Sequence, residues 1–419
     1  MSRFAFFRQS GWMTLSSGLA GILFSAVHNA ASKMEQGEYG VYAILGLLVS
    51  QTSIPAVGLQ LTFAQQTVHD LDAGRRAELA SALRALFRAT LALGLLAAVG
   101  LWFFQKQLVT NYKISNPAAL WVTLAAALVS LWTPMFLGVL QGRQNFLWFG
   151  WAAMLNGLTR LLAVTVIVLG LGGKATGAMA GVLLGSLAAC AIAVWQSRDL
   201  WDVPTVRFDW VAWLKRVLPI TLGMGALTYM LTQDGIAVGR FFPASESDRY
   251  QAAGIIGRAV YFFTAPVTYV LFPKLVQSAV RAERTSVLAL VLGATCLLGG
   301  GMALACTFFP TLPLRILYPP SYLEVAQLVP VFGWCVLPLS LSTVLVNNLL
   351  ARQRFVVVPW LVLVAAGYGF TLHQRHGSFE QVIHTLGFFG SLLFFVCVAF
   401  TWWTSRATDT QFVGNVSPK

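Results

Sequence analysis

The sequence predicts an all-α polytopic membrane protein: twelve transmembrane helices in two parallel six-helix lobes, with both termini cytoplasmic. Three observations carry this. Of its 419 residues, 57% are hydrophobic and 10% charged, whereas soluble domains carry about 25% charged residues. Apolar runs near the roughly 20 residues needed to cross a hydrocarbon layer about 30 Å thick follow one another along almost the whole chain. The chain also echoes itself. Tyr39, Ile44, Gly46, Val49, Pro55 and Gln66 recur as Tyr250, Ile255, Gly257, Val260, Pro266 and Gln277, each pair offset by 211 residues. A second echo places Leu140, Arg143, Gln144 and Phe146 against Leu349, Arg352, Gln353 and Phe355, offset by 209 residues. Two anchors about a hundred residues apart indicate duplicated halves. In membrane proteins such duplication is the mark of transporters whose substrate passes between the halves.

Polar punctuation divides the chain into spans at 11–31, 39–66, 84–104, 118–140, 147–169, 175–196, 216–240, 250–279, 287–309, 325–350, 356–372 and 382–404. The lobes are then residues 1–196 and 216–404, joined by a cytoplasmic linker, 197–215, and followed by a tail, 405–419. The connections 67–83 and 197–215 are too short to fold alone. Arg3 and Arg8 precede the first apolar run in the manner of a signal peptide. That run is broken by Ser16, Ser17, His28 and Asn29 and has no small-residue cleavage site, so it is expected to be a retained helix. Basic residues divide about two to one between the two sets of loops, which orients the termini to the cytoplasm.

The polar content of the spans is uneven. Span 1 keeps Ser16, Ser17, Ser25, His28 and Asn29; span 2 keeps Gln51, Thr52, Ser53, Gln60, Thr62, Gln65 and Gln66. Their repeat mates, spans 7 and 8, keep Thr221, Thr228, Tyr229, Thr232, Gln233 and Asp234, and Arg258, Tyr261, Thr264, Thr268 and Tyr269. Polar groups in lipid must meet protein or water, so these four spans are expected around a hydrated cavity and the apolar spans 3, 6, 9 and 12 at the periphery. Residues 74–88, with Arg75, Arg76, Arg84 and Arg88 among leucines, and 201–216, with Trp201, Trp210 and Trp213 beside basic residues, read as amphipathic segments at the inner interface. Gly177, Gly181 and Gly185 form a small-residue stripe on span 6, read as a packing surface. Prolines inside spans, notably the matched Pro55 and Pro266, are candidates for helix bending in a transport cycle.

Charges inside the membrane are rare, and each marks a functional candidate. Arg160 lies about 13 residues, or roughly 20 Å, into span 5, too deep to snorkel easily. Asp234 and Arg258 fall near one depth on adjacent spans, where they could pair, though depth alone leaves this open. The candidate substrate-binding residues are Arg160, Arg258, Gln66 and Asn29; the candidates for gating or coupling are Asp234, His28, Pro55 and Pro266. Glu35, Glu38 and Glu324 read as solvated outer-loop or helix-end residues. Cys190, Cys296, Cys306, Cys335 and Cys397 all fall inside spans without His or acidic clusters at ligand spacing, so they read as packing residues; no metal site and no cofactor is expected. The net charge of +13 is accounted for by basic cytoplasmic loops facing anionic lipid, which leaves no need for nucleic acid.

The sign of the buried charges limits the cargo. A pump for cationic drugs is expected to keep acids in its cavity, yet Asp234 is the only carboxylate well within a span. An anionic head group on a lipid tail fits the arginines better, through charge-assisted hydrogen bonds.

At this point the chain resembles a known family. Gly37-Glu38-Tyr39-Gly40-Val41-Tyr42, the stretch from Phe136 to Phe146 with Leu140-Gln141-Gly142, Leu218-Pro219, Asp234, Phe272-Pro273 and Pro320-Ser321-Tyr322 are similar to polysaccharide flippases of the multidrug/oligosaccharidyl-lipid/polysaccharide exporter superfamily. The resemblance implies rocker-type alternating access. It also implies movement of an undecaprenyl-diphosphate-linked oligosaccharide to the outer leaflet of a bacterial inner membrane. The partners it implies are that substrate, membrane lipid and a polysaccharide polymerase, around a monomer. The chain departs from the drug-extrusion branch in lacking an acid in span 1, and from the peptidoglycan-precursor branch in lacking two further helices. A multidrug exporter of the same fold is the alternative. A membrane-embedded glycan polymerase or ligase would need a sizeable outer loop bearing catalytic groups, for which the spans leave no room, and no enzymatic activity is expected.

Overall fold

The structure, a computed structural model, describes residues 3–68, 73–204, 206–280, 286–352 and 354–414. Among these there is no strand. Fourteen α-helices follow one another: α1 (Arg3–Ala31), α2 (Glu38–Gln51), α3 (Ser53–Val68), α4 (Ala73–Tyr112), α5 (Ala118–Gly142), α6 (Phe146–Val164), α7 (Lys174–Gln196), α8 (Trp210–Phe241), α9 (Ala244–Val280), α10 (Ser286–Phe308), the short α11 (Leu312–Leu317), α12 (Leu328–Ala351), α13 (Val358–Gln374) and α14 (Phe379–Gly414). Nine segments among the described residues are long and apolar enough to cross a membrane: 38–64, 74–112, 118–142, 146–170, 174–196, 288–308, 328–350, 355–374 and 379–403. The chain is therefore a multi-pass membrane protein. The other three expected spans lie on α1, α8 and α9.

The second expected span is two helices in line. The break falls at Thr52, whose Oγ1 donates to the Val49 carbonyl at 2.6 Å, three residues before Pro55. Proline lacks the N–H that would bond four residues back and crowds that carbonyl, so Pro55 sits in the first turn of α3, where the missing donor costs nothing. Pro134, Pro219 and Pro338 lie inside α5, α8 and α12. Pro266 lies in α9, with its side chain outside the described residues.

The chain forms two compact units. The first comprises Met1–Thr221, Gly239–Arg249 and Leu317–Pro319; the second comprises Leu222–Val238, Tyr250–Ile316 and Pro320–Lys419. In the first unit, α5 packs against α3 so closely that a Cβ on Gly142 would lie 2.5 Å from the Ala64 carbonyl oxygen and 2.6 Å from Thr67 Cβ. The small-residue stripe of α7 has the same effect. A Cβ at Gly185 would lie 2.6 Å from the Asn156 carbonyl oxygen, and one at Gly177 would lie 2.5 Å from Ile167 Cγ2. Span 6 is therefore not peripheral: Ala175, Ala178, Met179, Val182, Ala189 and Ala193 of α7 are buried, because its small side chains let neighbouring helices close over it. By contrast α4 exposes Leu93, Leu95, Leu96, Trp102 and Phe103, as a lipid-facing helix does.

Residues 74–88 are not a separate interfacial helix. They are the first turns of α4, whose 40 residues reach about 60 Å. Leu79, Leu83 and Leu86 turn inward onto Phe136 and Val139 of α5, Leu200 of the linker, and Trp213 and Val217 of α8. Of the other expected amphipathic segment, Trp201–Asp209 forms no helix in its described residues, and α8 begins at Trp210. The linker is fastened to the first unit instead. Arg84 Nη2 donates to the carbonyls of Leu200 (3.2 Å), Trp201 and Val203 (2.9 Å). Asp199 accepts from Arg143 at 2.7 and 2.8 Å and from Arg76 at 2.8 Å. These partners hold the Asp199 carboxyl below its ordinary value, Arg143 most of all.

Candidate functional site

Arg160 sits on α6 in the first unit. The glycines of α7 press against the back of its helix, a Cβ at Gly185 falling 3.0 Å from Arg160 Cβ. Its Nη2 donates to the Tyr42 hydroxyl at 2.7 Å. The guanidinium carbon lies 5.5 Å from the Phe24 ring centroid and 6.0 Å from that of Tyr42, within cation–π range. Its Nε is buried with no hydrogen-bond partner, and among the described residues no carboxylate forms an ion pair with Arg160. Ring faces and one hydroxyl orient the cation without neutralising it, so donors remain for an anion.

Around it lies an aromatic and polar cluster. His28 of α1 and Tyr42 of α2 have ring centroids 5.8 Å apart. His28 Nδ1 is 3.2 Å from the Tyr39 hydroxyl, which is 2.8 Å from the Tyr318 hydroxyl. Asn29 Nδ2 donates to the Leu317 carbonyl at 2.9 Å. Of the sequence candidates, His28, Asn29 and Arg160 are thus gathered in the first unit. Gln66, on α3, has a buried Oε1 without a partner, whereas Gln60 is used in packing, its Nε2 donating to Gln141 Oε1 at 2.9 Å.

The second unit holds a different centre. Asp234 of α8 is fully buried and meets Arg258 of α9 at 2.6 Å, so the pairing their depth left open is made. Arg258 Nε donates to the Leu231 carbonyl at 2.9 Å, and the guanidinium carbon lies 5.6 Å from the Phe332 ring centroid. Glycine at 254 makes room for it, since a Cβ there would lie 2.7 Å from Arg258 Nη1. The Tyr250 hydroxyl donates to the same carboxylate oxygen at 2.8 Å, and Gln251 Nε2 donates to the Gly235 carbonyl at 2.8 Å. Each donor and the acceptor is only 0–5% exposed, so this is a closed internal pair, with its charges balanced against each other. Arg258 reaches a ligand only by leaving Asp234.

Several residues were invisible to sequence reasoning. Glu38, expected to be solvated, is buried, and its carboxylate accepts from the Ala175 N–H at 2.9 Å, capping the start of α7. Glu35 is exposed and pairs with Lys174 at 2.7 Å. Asp248, at the start of α9, accepts from the Gly37 N–H at 2.5 Å and from the Gly40 N–H. Burial pushes its carboxyl up to about 6 against the pull of those two N–H groups, with Glu38 adding to the rise and Arg249 opposing it. The one available signal was the tyrosine echo. Tyr39 and Tyr250 are repeat mates, and each touches the candidate polar group of the preceding helix, His28 or Asp234.

No protein-family model matches this sequence, and no curated protein matches it. Solved structures do resemble it in fold. A multidrug resistance MATE family transporter of the MOP superfamily, in an inward-facing conformation, aligns with a TM-score of 0.70 at 12% identity, covering 94% of this chain and 96% of that one. The lipid II flippase MurJ in an inward closed conformation aligns with a TM-score of 0.69 at 14% identity, covering 99% and 94%. A MOP superfamily transporter described as having a binding pocket of reversed polarity aligns at 0.61 and 12% identity, covering 96% and 95%. These neighbours are transporters and a flippase, not enzymes. Across nearly its whole length the chain has the fold that MATE transporters and MurJ share.

Proposed function

We propose that this protein is a flippase that moves an undecaprenyl-diphosphate-linked oligosaccharide from the cytoplasmic to the outer leaflet of the bacterial inner membrane by alternating access, for cell-surface polysaccharide biosynthesis. In this proposal twelve spans form two six-helix lobes, 1–196 and 216–404, with both termini cytoplasmic. The observation that carries it is Arg160, a guanidinium deep in a membrane helix, held by Tyr42 and Phe24 with a buried Nε left unpartnered. Such a group fits a diphosphate, to which arginine presents several N–H donors in a fixed fork. Asn29, next to His28 in the same cluster, is a further proposed substrate contact, and Gln66, 24 residues beyond Tyr42 along α2 and α3, is proposed as a separate one farther along the path. The lipid II flippase among the structural neighbours supports a lipid-linked cargo.

The alternative, a multidrug exporter, is favoured by the MATE transporters among the neighbours. Against it stands the charge balance. Asp234, the carboxylate well within an expected span, is already paired with Arg258 and so is not free for a cationic drug. The test is leaflet translocation of a fluorescent undecaprenyl-diphosphate oligosaccharide in proteoliposomes. The native chain should translocate it, Arg160→Ala should lower the rate by at least about tenfold, the weight of a charge-assisted hydrogen bond, and Arg160→Lys should recover only part. Uptake of cationic dyes with no movement of the lipid would establish the exporter instead.

A further inference from the structure

The segment Gly239–Arg249, made of the end of α8, the turn at 242–243 and the first turns of α9, belongs to the first compact unit, although Leu222–Val238 of α8 and α9 from Tyr250 onward belong to the second. The chain therefore crosses between units twice within a dozen residues, and between the crossings it is fastened down. Asp248 accepts from the N–H groups of Gly37 and Gly40 at the start of α2, where the first-turn donors have no carbonyl of their own helix to reach. The fit requires glycine on the α2 side. A Cβ at Gly40 would lie 2.6 Å from Asp248 Oδ1 and 2.9 Å from its backbone nitrogen. Gly37 has φ 94°, a conformation that side chains disfavour, and a Cβ there would lie 3.1 Å from Ala244 Cβ. Lys113 Nζ holds the other end of the turn through the carbonyl of Phe242, at 2.5 Å.

Gly37 and Asp248 are themselves repeat mates, offset by the same 211 residues as Tyr39 and Tyr250. The N-cap of α2 meets its repeat mate in the first turns of α9, and the latter carries the acceptor. Because residue 37 is glycine, α2 offers no side chain in return, and the contact depends on a single carboxylate.

We propose that Asp248 is a latch that holds the turn between α8 and α9 on the start of α2, and that it must release for the outer side of the protein to open. This rests on the alternating-access part of the proposed function but not on the nature of the cargo. The reporter is Ser247→Cys, at a position 2% exposed beside the latch, labelled from the outer side with a charged, membrane-impermeant maleimide in the absence of any cargo. The chain carrying only its native cysteines provides the background. Asp248→Ala leaves two backbone N–H groups without acceptors, and Gly40→Ala displaces the carboxylate sterically. Each should speed labelling by about tenfold or more, the scale of losing such bonds. Ala193→Cys, fully buried on α7, should stay unlabelled in the solubilised variants. Unchanged Ser247→Cys labelling in both Asp248→Ala and Gly40→Ala would overturn the latch. So would faster labelling accompanied by equal labelling of Ala193→Cys, which would make Asp248 a general support of the fold. Because no lipid-linked substrate is present, an incorrect assignment of the cargo leaves this result intact.

Discussion

Arg258→Ala should destabilise the protein by about 3–5 kcal/mol, the range for breaking a buried ion pair from one side. Asp234 is fully buried and its carboxylate meets Arg258 at 2.6 Å, so in the variant only the Tyr250 hydroxyl still donates to it. A loss of that size lowers the midpoint of thermal unfolding by on the order of 10 °C for a unit of this size. The assay is thermal unfolding of purified protein in detergent, comparing native chain, Arg258→Ala, and the double variant Asp234→Asn with Arg258→Gln. The double variant buries no charge and should recover most of the loss. If Arg258→Ala melted within about 2 °C of the native chain, the pair would not be holding α8 to α9. Arg258 would then be free to meet cargo. Conversely, lost translocation in Arg258→Ala counts as lost cargo binding only if the stable double variant loses it too.

Two further predictions concern pH. Asp199 is held below its ordinary value by Arg143 and Arg76, so its contribution is present above about pH 4 and is lost as pH falls through its lowered folded value; proteolysis of the linker should rise in acid, and Asp199→Asn should show the raised cleavage already at neutral pH, while an acid-insensitive native linker would refute the clamp. Asp248 shifts the opposite way, up to about 6 when buried beside Glu38, with Arg249 and the Gly37 and Gly40 N–H groups pulling it down. The closed latch therefore binds a proton that the open, solvated carboxyl does not hold between about pH 4 and 6, and closure is favoured on the acid side of that window. Labelling of Ser247→Cys, corrected for thiolate content, should rise with pH up to about 6 by at most roughly a hundredfold and then level off. Adding Asp248→Ala should flatten that profile; a pH dependence that survives the substitution would assign it to another group.

What the sequence made legible was what repetition and solvent dictate. Long apolar runs gave helices because lipid leaves the backbone no other way to satisfy its hydrogen bonds, and the depth of Asp234 and Arg258 on adjacent spans made their contact possible. Two kinds of information were missing. Backbone acceptors and donors leave no trace in residue identity, so neither Arg84 gripping the linker carbonyls nor Glu38 capping α7 could be read from the chain. Hydropathy also does not distinguish a helix buried among helices from one facing lipid, because both are apolar. The small residues of α7 did, since Gly177 and Gly185 have neighbours where a Cβ would stand, and they outweighed the mean hydropathy that had placed this span at the periphery.

The sequence echo matches Tyr39 with Tyr250, but the chemistry around the two tyrosines differs. Tyr39 meets His28 and Tyr318, while Tyr250 meets the carboxylate of Asp234. In the second unit Arg258 on the next helix pairs with that carboxylate, and the pair ties α8 to α9. In the first unit the deep arginine stands on α6 with aromatic faces and a hydroxyl as its partners, so its charge remains. A carrier with equivalent halves would present equivalent faces to its cargo. Among the described residues of the expected spans, the deep cation that no carboxylate pairs with, Arg160, lies in the first unit, and under the proposed function an anionic head group would meet it there. That asymmetry makes Arg160→Ala the substitution to which transport should be most sensitive and fold least, the reverse of Arg258→Ala.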